Sequence, residues 1–337
     1  MKQPVLMNQT TTKENARDYL FDNLRAILII LVVWGHLLTS MKDDYEGLRS
    51  IYIFLFFFHM PAMTFVSGYF SKNLEKIRSS AFVTVLVPFL ILNVLNYAFK
   101  MLILREDFSG FRFFRPYWGL WYLLALFLWK FFLKDLLRIR FILPLSILFA
   151  LFSGFSREFS EYLALGRTIC FLPFFLLGYF CTPEHIAKVR RIPKLIGLLV
   201  ILAAGALSAY AAVNADFDME ALYLRGPYPQ ETEVRAMLWR LLVYAVAIAM
   251  IFATTNLVTA KKTALSYVGT STMTVYVLHL FTIPLLEKLE LLGKQPYLYL
   301  VYSVLMTALI TYLYSRPSVK HAYDTAMDWL TGLFLKR

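Results

Sequence analysis

FDNLRAILIILVVWGHLL, residues 21–38, carries Arg25 and His36 with ten residues between them inside an otherwise apolar run. Eleven steps of about 100° bring a helix back to within about 20° of the same face, about 16 Å further along. A cation and an imidazole on one stripe of a membrane helix are costly unless the stripe lines a polar path. The pair therefore marks a candidate functional site.

The run is one of many. The 337 residues are 59% hydrophobic, mean hydropathy is +0.60, and apolar stretches of about twenty residues recur from end to end. This predicts an all-α, polytopic membrane helix bundle of about ten transmembrane helices, over 20–41, 51–70, 81–104, 118–134, 141–155, 166–182, 194–213, 236–258, 264–286 and 297–314. The polar start MKQPVLMNQTTTKENARDY precedes a full-length span and lacks the pattern of a removable signal. The longest connection, 214–235, is too short for a soluble domain. The expectation is one integral membrane domain over 20–314, between tails at 1–19 and 315–337.

Basic residues in short loops stay in the cytoplasm. Placing both termini there collects most of the 34 Lys and Arg on the inner side, so the net charge of +12 reads as membrane orientation and requires no nucleic acid. A basic inner face also steers a polyanionic cytosolic ligand. Cys170 and Cys181 are too far apart along one helix to bridge, and read as small apolar residues.

Of the five histidines, His185 and His321 fall in a loop and a tail, whereas His36, His59 and His279 fall within spans. Counting 1.5 Å per residue from the span ends puts these three at a similar depth, about 8 to 12 Å below the outer surface. Imidazoles at one level suit proton transfer. No carboxylate or thiolate joins them, so no metal is expected. Hydrogen-bonded packing is the structural alternative: Pro61 frees a carbonyl one turn earlier that suits His59, and Thr272 and Tyr276 continue a polar stripe to His279. Asp22 and Arg25, one turn apart, are able to pair, while the Arg25 guanidinium also suits a phosphate or a thioester-linked carrier.

Together these segments resemble acyltransferase family 3, integral membrane enzymes that transfer acyl groups, usually acetyl from acetyl-CoA, to extracytoplasmic carbohydrates. Arg25 and His36 match its arginine, ten residues, then histidine. FHMP at 58–61 and SGYF at 67–70, WYLLALFLW from Trp121, GRTICFLPFFLLGYF from Gly166 and TVYVLHLF around His279 are similar to its other blocks. FDNLRAILIILVVWGHLL and FLPFFLLGY resemble in particular the fucose 4-O-acetylase-like branch. Where other members carry paired arginines after the second helix, this chain has Lys76 and Arg78 around Ile77. The spans leave no room within these 337 residues for the esterase-like domain of many relatives, so none is expected in this stretch.

The resemblance implies a multi-pass protein of the bacterial plasma membrane that moves an acyl group from cytoplasmic acyl-CoA, most simply acetyl-CoA, to a carbohydrate or lipid-linked glycan acceptor. His36 is then the candidate general base, with His279 or His59 orienting it or completing a relay. Arg25 holds the donor from below, with Lys72, Lys76 and Arg78 as candidates for its phosphates, or as solvated loop cations. Trp118, Trp121 and Tyr122 are candidates to stack on a sugar, or belong to an aromatic belt. Arg167 either contacts an acidic or phosphorylated acceptor or snorkels. Asn93 and Asn96 read as interhelical hydrogen bonders. Direct attack and a covalent acyl-histidine relay stay open. So do a transporter or flippase of a glycan or lipid-linked precursor and a non-catalytic glycan-binding subunit.

Overall fold

The computed structural model describes residues 18–106, 115–158, 162–214, 217, 219–289 and 295–334, and all regular structure among them is helical. Most of the expected 1–19 tail and residues 335–337 lie outside the described residues. In chain order the helices are α1 (Leu20–Leu38), α2 (Glu46–Tyr69) and α3 (Leu74–Leu102), then α4 (Trp121–Leu136), α5 (Ile142–Phe152), α6 (Leu165–Phe180) and α7 (Pro183–Arg191). They continue as α8 (Lys194–Val213), α9 (Met219–Tyr223), α10 (Glu233–Leu257), α11 (Ala264–Gly269), α12 (Thr272–Lys288), α13 (Pro296–Tyr314) and α14 (Pro317–Phe334).

Seven of these, α1, α2, α3, α6 with the turn before it, α8, α10 and α13, are long and apolar enough to cross a membrane. The protein is a multi-pass membrane protein. The other three expected segments carry the shorter helices α4, α5 and the α11–α12 pair. The segment expected over 264–286 is broken because Gly269 ends α11 against α1: a Cβ there would overlap the Asp22 carbonyl oxygen. The carboxy-terminal tail holds α14, whose Tyr323 and Met327 pack on the core while Trp329, Leu333 and Phe334 stay exposed.

Lipid tails are as apolar as leucine, so helix association rests on close packing and hydrogen bonds. Helices α2 and α6 cross through Gly68 and Gly178, where a Cβ would overlap the carbonyl oxygens of Phe175 and Phe65. That crossing explains the glycines in both SGYF and LGYF. Helix α1 packs against α2, α11, α12 and α13 and is pinned by Asn23, which is 1% exposed. Its amide nitrogen donates to the carbonyls of Thr259 (2.7 Å) and Lys261 (2.9 Å). Its oxygen accepts from the hydroxyls of Thr263 (2.8 Å) and Ser266 (2.6 Å). All four hydrogen-bonding positions of the side chain are used. Asn256 fastens the end of α10 through its amide nitrogen alone, which donates to the carbonyls of Val189 and Ile192.

Candidate active site

Two chambers sit end to end beside α1. One, of about 240 Å³, is lined by Arg25, Ser67, Tyr122, Lys130, Thr272 and Tyr276. The other, of about 260 Å³, is lined by His36, His59, Trp118, Trp121, Arg167 and Tyr223. Val32, Met60 and Tyr276 line both. Val32 lies seven residues after Arg25 and four before His36, so the three share one stripe of α1. A vestibule of about 510 Å³ shares Trp118, Trp121, Arg167 and Arg225 with the His36 chamber and adds Glu220.

Arg25 pairs with Asp22 at 2.6 Å and its side chain is 32% exposed. Its Nε donates to the Phe21 carbonyl, and its guanidinium lies over the Phe70 ring. A partly exposed pair of this kind contributes under about 1 kcal/mol. The guanidinium has five N–H groups, and two are engaged, so N–H groups are left over in a side chain that lines the chamber. Lys130, on the same helical stripe as Tyr122 and Leu126, adds a second cation to this lining.

His36 Nδ1 lies 2.9 Å from His279 Nε2. His279 Nδ1 in turn lies 3.1 Å from the Val275 carbonyl. A carbonyl only accepts, so His279 Nδ1 carries the proton. With both rings neutral, His279 Nε2 is the acceptor and His36 Nδ1 the donor, which leaves His36 Nε2 with a free lone pair. That is the tautomer a general base requires. The His36 ring also packs on Trp118, with centroids 4.3 Å apart.

His59 lines the same chamber without a hydrogen bond to that pair. Its Nδ1 donates to the Leu55 carbonyl at 2.6 Å, and its Nε2 is buried without a partner. The accepting carbonyl is one turn before His59 itself and is not the Phe57 carbonyl that Pro61 frees, because the ring folds back along its own helix. No group of three or more His, Cys, Asp or Glu side chains among the described residues is arranged to hold a metal ion.

The remaining expected residues divide. Trp118, Trp121 and Arg167 gather in the His36 chamber. Tyr122 turns into the Arg25 chamber, where its hydroxyl meets Ser67 at 2.8 Å. The chain carries Ile77 to that chamber while Lys72, Lys76 and Arg78 stay out of its lining. Lys72 donates to the carbonyls of Gly178, Tyr179 and Cys181 at the end of α6, so all three ammonium protons are spent as a helix cap. Arg78 pairs with Asp135 at 3.1 Å. Asn93 accepts from the Tyr117 backbone N–H at 2.8 Å and so positions the turn before Trp118. Asn96 bonds within its own helix to the Leu92 carbonyl.

Sequence reasoning overlooked Lys130, the Glu220–Arg225 pair and Arg240. Arg240 is 1% exposed. It donates to the carbonyls of Ala150 and Gly226, both at 3.1 Å, and lies over the Tyr228 ring. It ties the 225–228 loop, which carries Arg225 to the vestibule, to the helices behind. The usable signal was an arginine inside a long apolar run.

Residues 18–315 match a family model described as an acyltransferase domain. A 73-residue stretch is 37% identical to nodulation protein NolL of Sinorhizobium fredii, covering 21% of this chain and 20% of that protein. The chain thus spans about a fifth of the curated relative it matches. No solved structure matches the chain.

Proposed function

The chain belongs to the acyltransferase family that matches it over residues 18–315, and from that premise we propose that it is an O-acetyltransferase of the bacterial plasma membrane. Acyl-CoA, most simply acetyl-CoA, enters the Arg25 chamber from the cytoplasm. An extracytoplasmic carbohydrate or glycolipid hydroxyl enters the His36 chamber. Both termini are then cytoplasmic, consistent with the basic residues around the Arg25 end, and about ten helical passes separate them.

One observation carries this reading: the His36–His279 pair holds a free lone pair on His36 Nε2 in a chamber that adjoins the Arg25 chamber through Val32, Met60 and Tyr276. A sugar hydroxyl is a poor nucleophile near neutral pH and needs a positioned base. His36 Nε2 takes the hydroxyl proton as the oxygen attacks the thioester carbonyl carbon. His279 stabilises the resulting imidazolium through the Nδ1 hydrogen bond. The carbon–sulfur bond breaks, the proton passes to the departing thiolate, and the ester leaves outward. Arg25, Lys130 and Tyr122 orient the donor, and Trp118 offers a ring face to the sugar.

The covalent alternative, with the acyl group carried on His36, differs in predicting donor hydrolysis or exchange without acceptor. The deciding experiment supplies labelled acetyl-CoA to membranes containing the protein or its His36→Ala form. Alkali-labile label in extracytoplasmic glycan, lost in the variant, supports the reading. Glycan translocation without label would replace it with the transporter.

A further inference from the structure

Arg167 enters the His36 chamber from the first turn of α6. It lines both that chamber and the vestibule, with its guanidinium 4.9 Å from the Trp121 ring centroid. Among the described residues it has no hydrogen bond and no ion pair. Arg225, which also lines both, is by contrast matched to Glu220 through two bonds of 2.8 and 2.9 Å. Of the described residues lining the chamber and vestibule, three are arginines, Arg115, Arg167 and Arg225, and one, Glu220, is a carboxylate.

Arg167 is partly exposed in this lining, and a guanidinium drawn part-way out of bulk water is disfavoured unless an opposite charge meets it. Hydroxyl groups of a neutral sugar satisfy its N–H groups but leave the charge uncompensated. A carboxylate or a phosphate does both, in the bidentate geometry that arginine favours. Trp118, partly exposed beside His36, supplies a flat face, while the buried Trp121 ring backs the guanidinium. The arrangement therefore fits a ring that carries an anionic group at one edge and a free hydroxyl at another.

We infer that the acceptor is an anionic carbohydrate, its carboxylate or phosphate held by Arg167 while a hydroxyl of the same ligand is presented to His36. The inference rests on the acyl-transfer reading for what happens next, but the binding site stands on its own geometry.

The test measures binding first, on the purified full chain. Thermal unfolding is followed with glucuronate, glucose 6-phosphate, glucose or inorganic phosphate at matched ionic strength. At least one of the two anionic sugars is expected to raise the midpoint of both the wild type and His36→Ala, whereas glucose and inorganic phosphate leave it unchanged. Arg167→Gln is expected to weaken binding at least about tenfold, the loss of a charge-assisted contact. If that variant fails to fold, Arg167→Lys, which keeps the charge but loses the planar fork, is expected to bind several-fold more weakly than wild type. The inference is overturned by an equal shift with glucose, by an equal shift with inorganic phosphate alone, by no shift with either anionic sugar, or by unchanged affinity in the arginine variants.

Labelled acetyl-CoA then separates the two ideas. Binding of the anionic sugars without any transfer sinks the enzyme reading and leaves the site. Transfer to glucose as fast as to the anionic sugars, with Arg167→Gln slowing both alike, sinks the acceptor assignment and makes Arg167 a partner of the reacting carbonyl.

Discussion

His279 reaches across from α12 so that its Nε2 sits 2.9 Å from His36 Nδ1, and its remaining ring nitrogen is committed to the Val275 carbonyl. The two imidazoles form a directed chain, each fixing the tautomer of the next, and the chain ends on an open nitrogen in the chamber. Residues acting as one unit give strongly non-additive losses. His36→Ala is expected to lower acyl transfer by about 10² to 10⁴-fold, the range for removing a general base. His279→Ala should cost somewhat less, and the double variant no more than His36→Ala alone. Single-turnover transfer of labelled acetyl groups measures all three, and a multiplicative double loss would show that the histidines act separately.

Between the two chambers stand Val32, Met60 and Tyr276. In the proposed reaction an acyl group travelling from the Arg25 side to His36 passes them, so side-chain bulk at this junction would set what crosses. Val32→Trp is expected to abolish transfer while donor binding is retained. Met60→Ala is expected to widen the range of accepted donors toward propionyl- and butyryl-CoA. Competition between acyl-CoA chain lengths, read by mass spectrometry of the product, checks both, and an unchanged preference in Met60→Ala would move the constriction elsewhere.

The part of this site that lay on one helix was legible from spacing, because 3.6 residues per turn fixes which positions share a stripe: Arg25, Val32 and His36 do. The His36–His279 contact depends on how α1 and α12 pack, and depth counting reaches only a common level. Trp121 and Tyr122 were read as one aromatic group, yet adjacent residues on a helix point about 100° apart, and these two face different chambers. Lys72 looked like its neighbours Lys76 and Arg78. Only the close crossing of α2 and α6 at Gly68 and Gly178 brings it to the carbonyls it caps. The multi-pass architecture was plain from hydropathy, whereas the break at Gly269 and the helix at Pro317–Phe334 follow from contacts that a hydropathy window does not contain.

Asn23 offers a stability test independent of chemistry. Its four hydrogen bonds bind α1 to the segment 259–266. Leaving buried partners unsatisfied costs about 1 to 3 kcal/mol each, so Asn23→Leu is expected to lower the unfolding midpoint by several degrees or to abolish accumulation. Asn23→Asp keeps the acceptor for the two hydroxyls but faces the Thr259 and Lys261 carbonyls with a second acceptor. It is also expected to destabilise. Thermal unfolding of the purified variants in detergent checks this, and a wild-type midpoint for Asn23→Leu would mean that α1 is held by packing alone.

Two lysines near the Arg25 end make opposite predictions. Lys130 lines the Arg25 chamber and has no ion pair among the described residues, so its charge is available to an anionic donor. Lys72 is consumed by the carbonyls ending α6. Lys130→Met should therefore raise KM for acyl-CoA about tenfold, the value of one charge-assisted contact, with little change in kcat or in the unfolding midpoint. Lys72→Met should reverse the pattern, lowering the midpoint by the equivalent of about 1 kcal/mol for a lost cap while leaving KM for the donor within about twofold. Steady-state kinetics with varied acyl-CoA, run beside thermal unfolding of the same preparations, separates the two. A rise in donor KM on losing Lys72, with stability intact, would return that lysine to the donor site and mean that its contacts to Gly178, Tyr179 and Cys181 give way when donor binds.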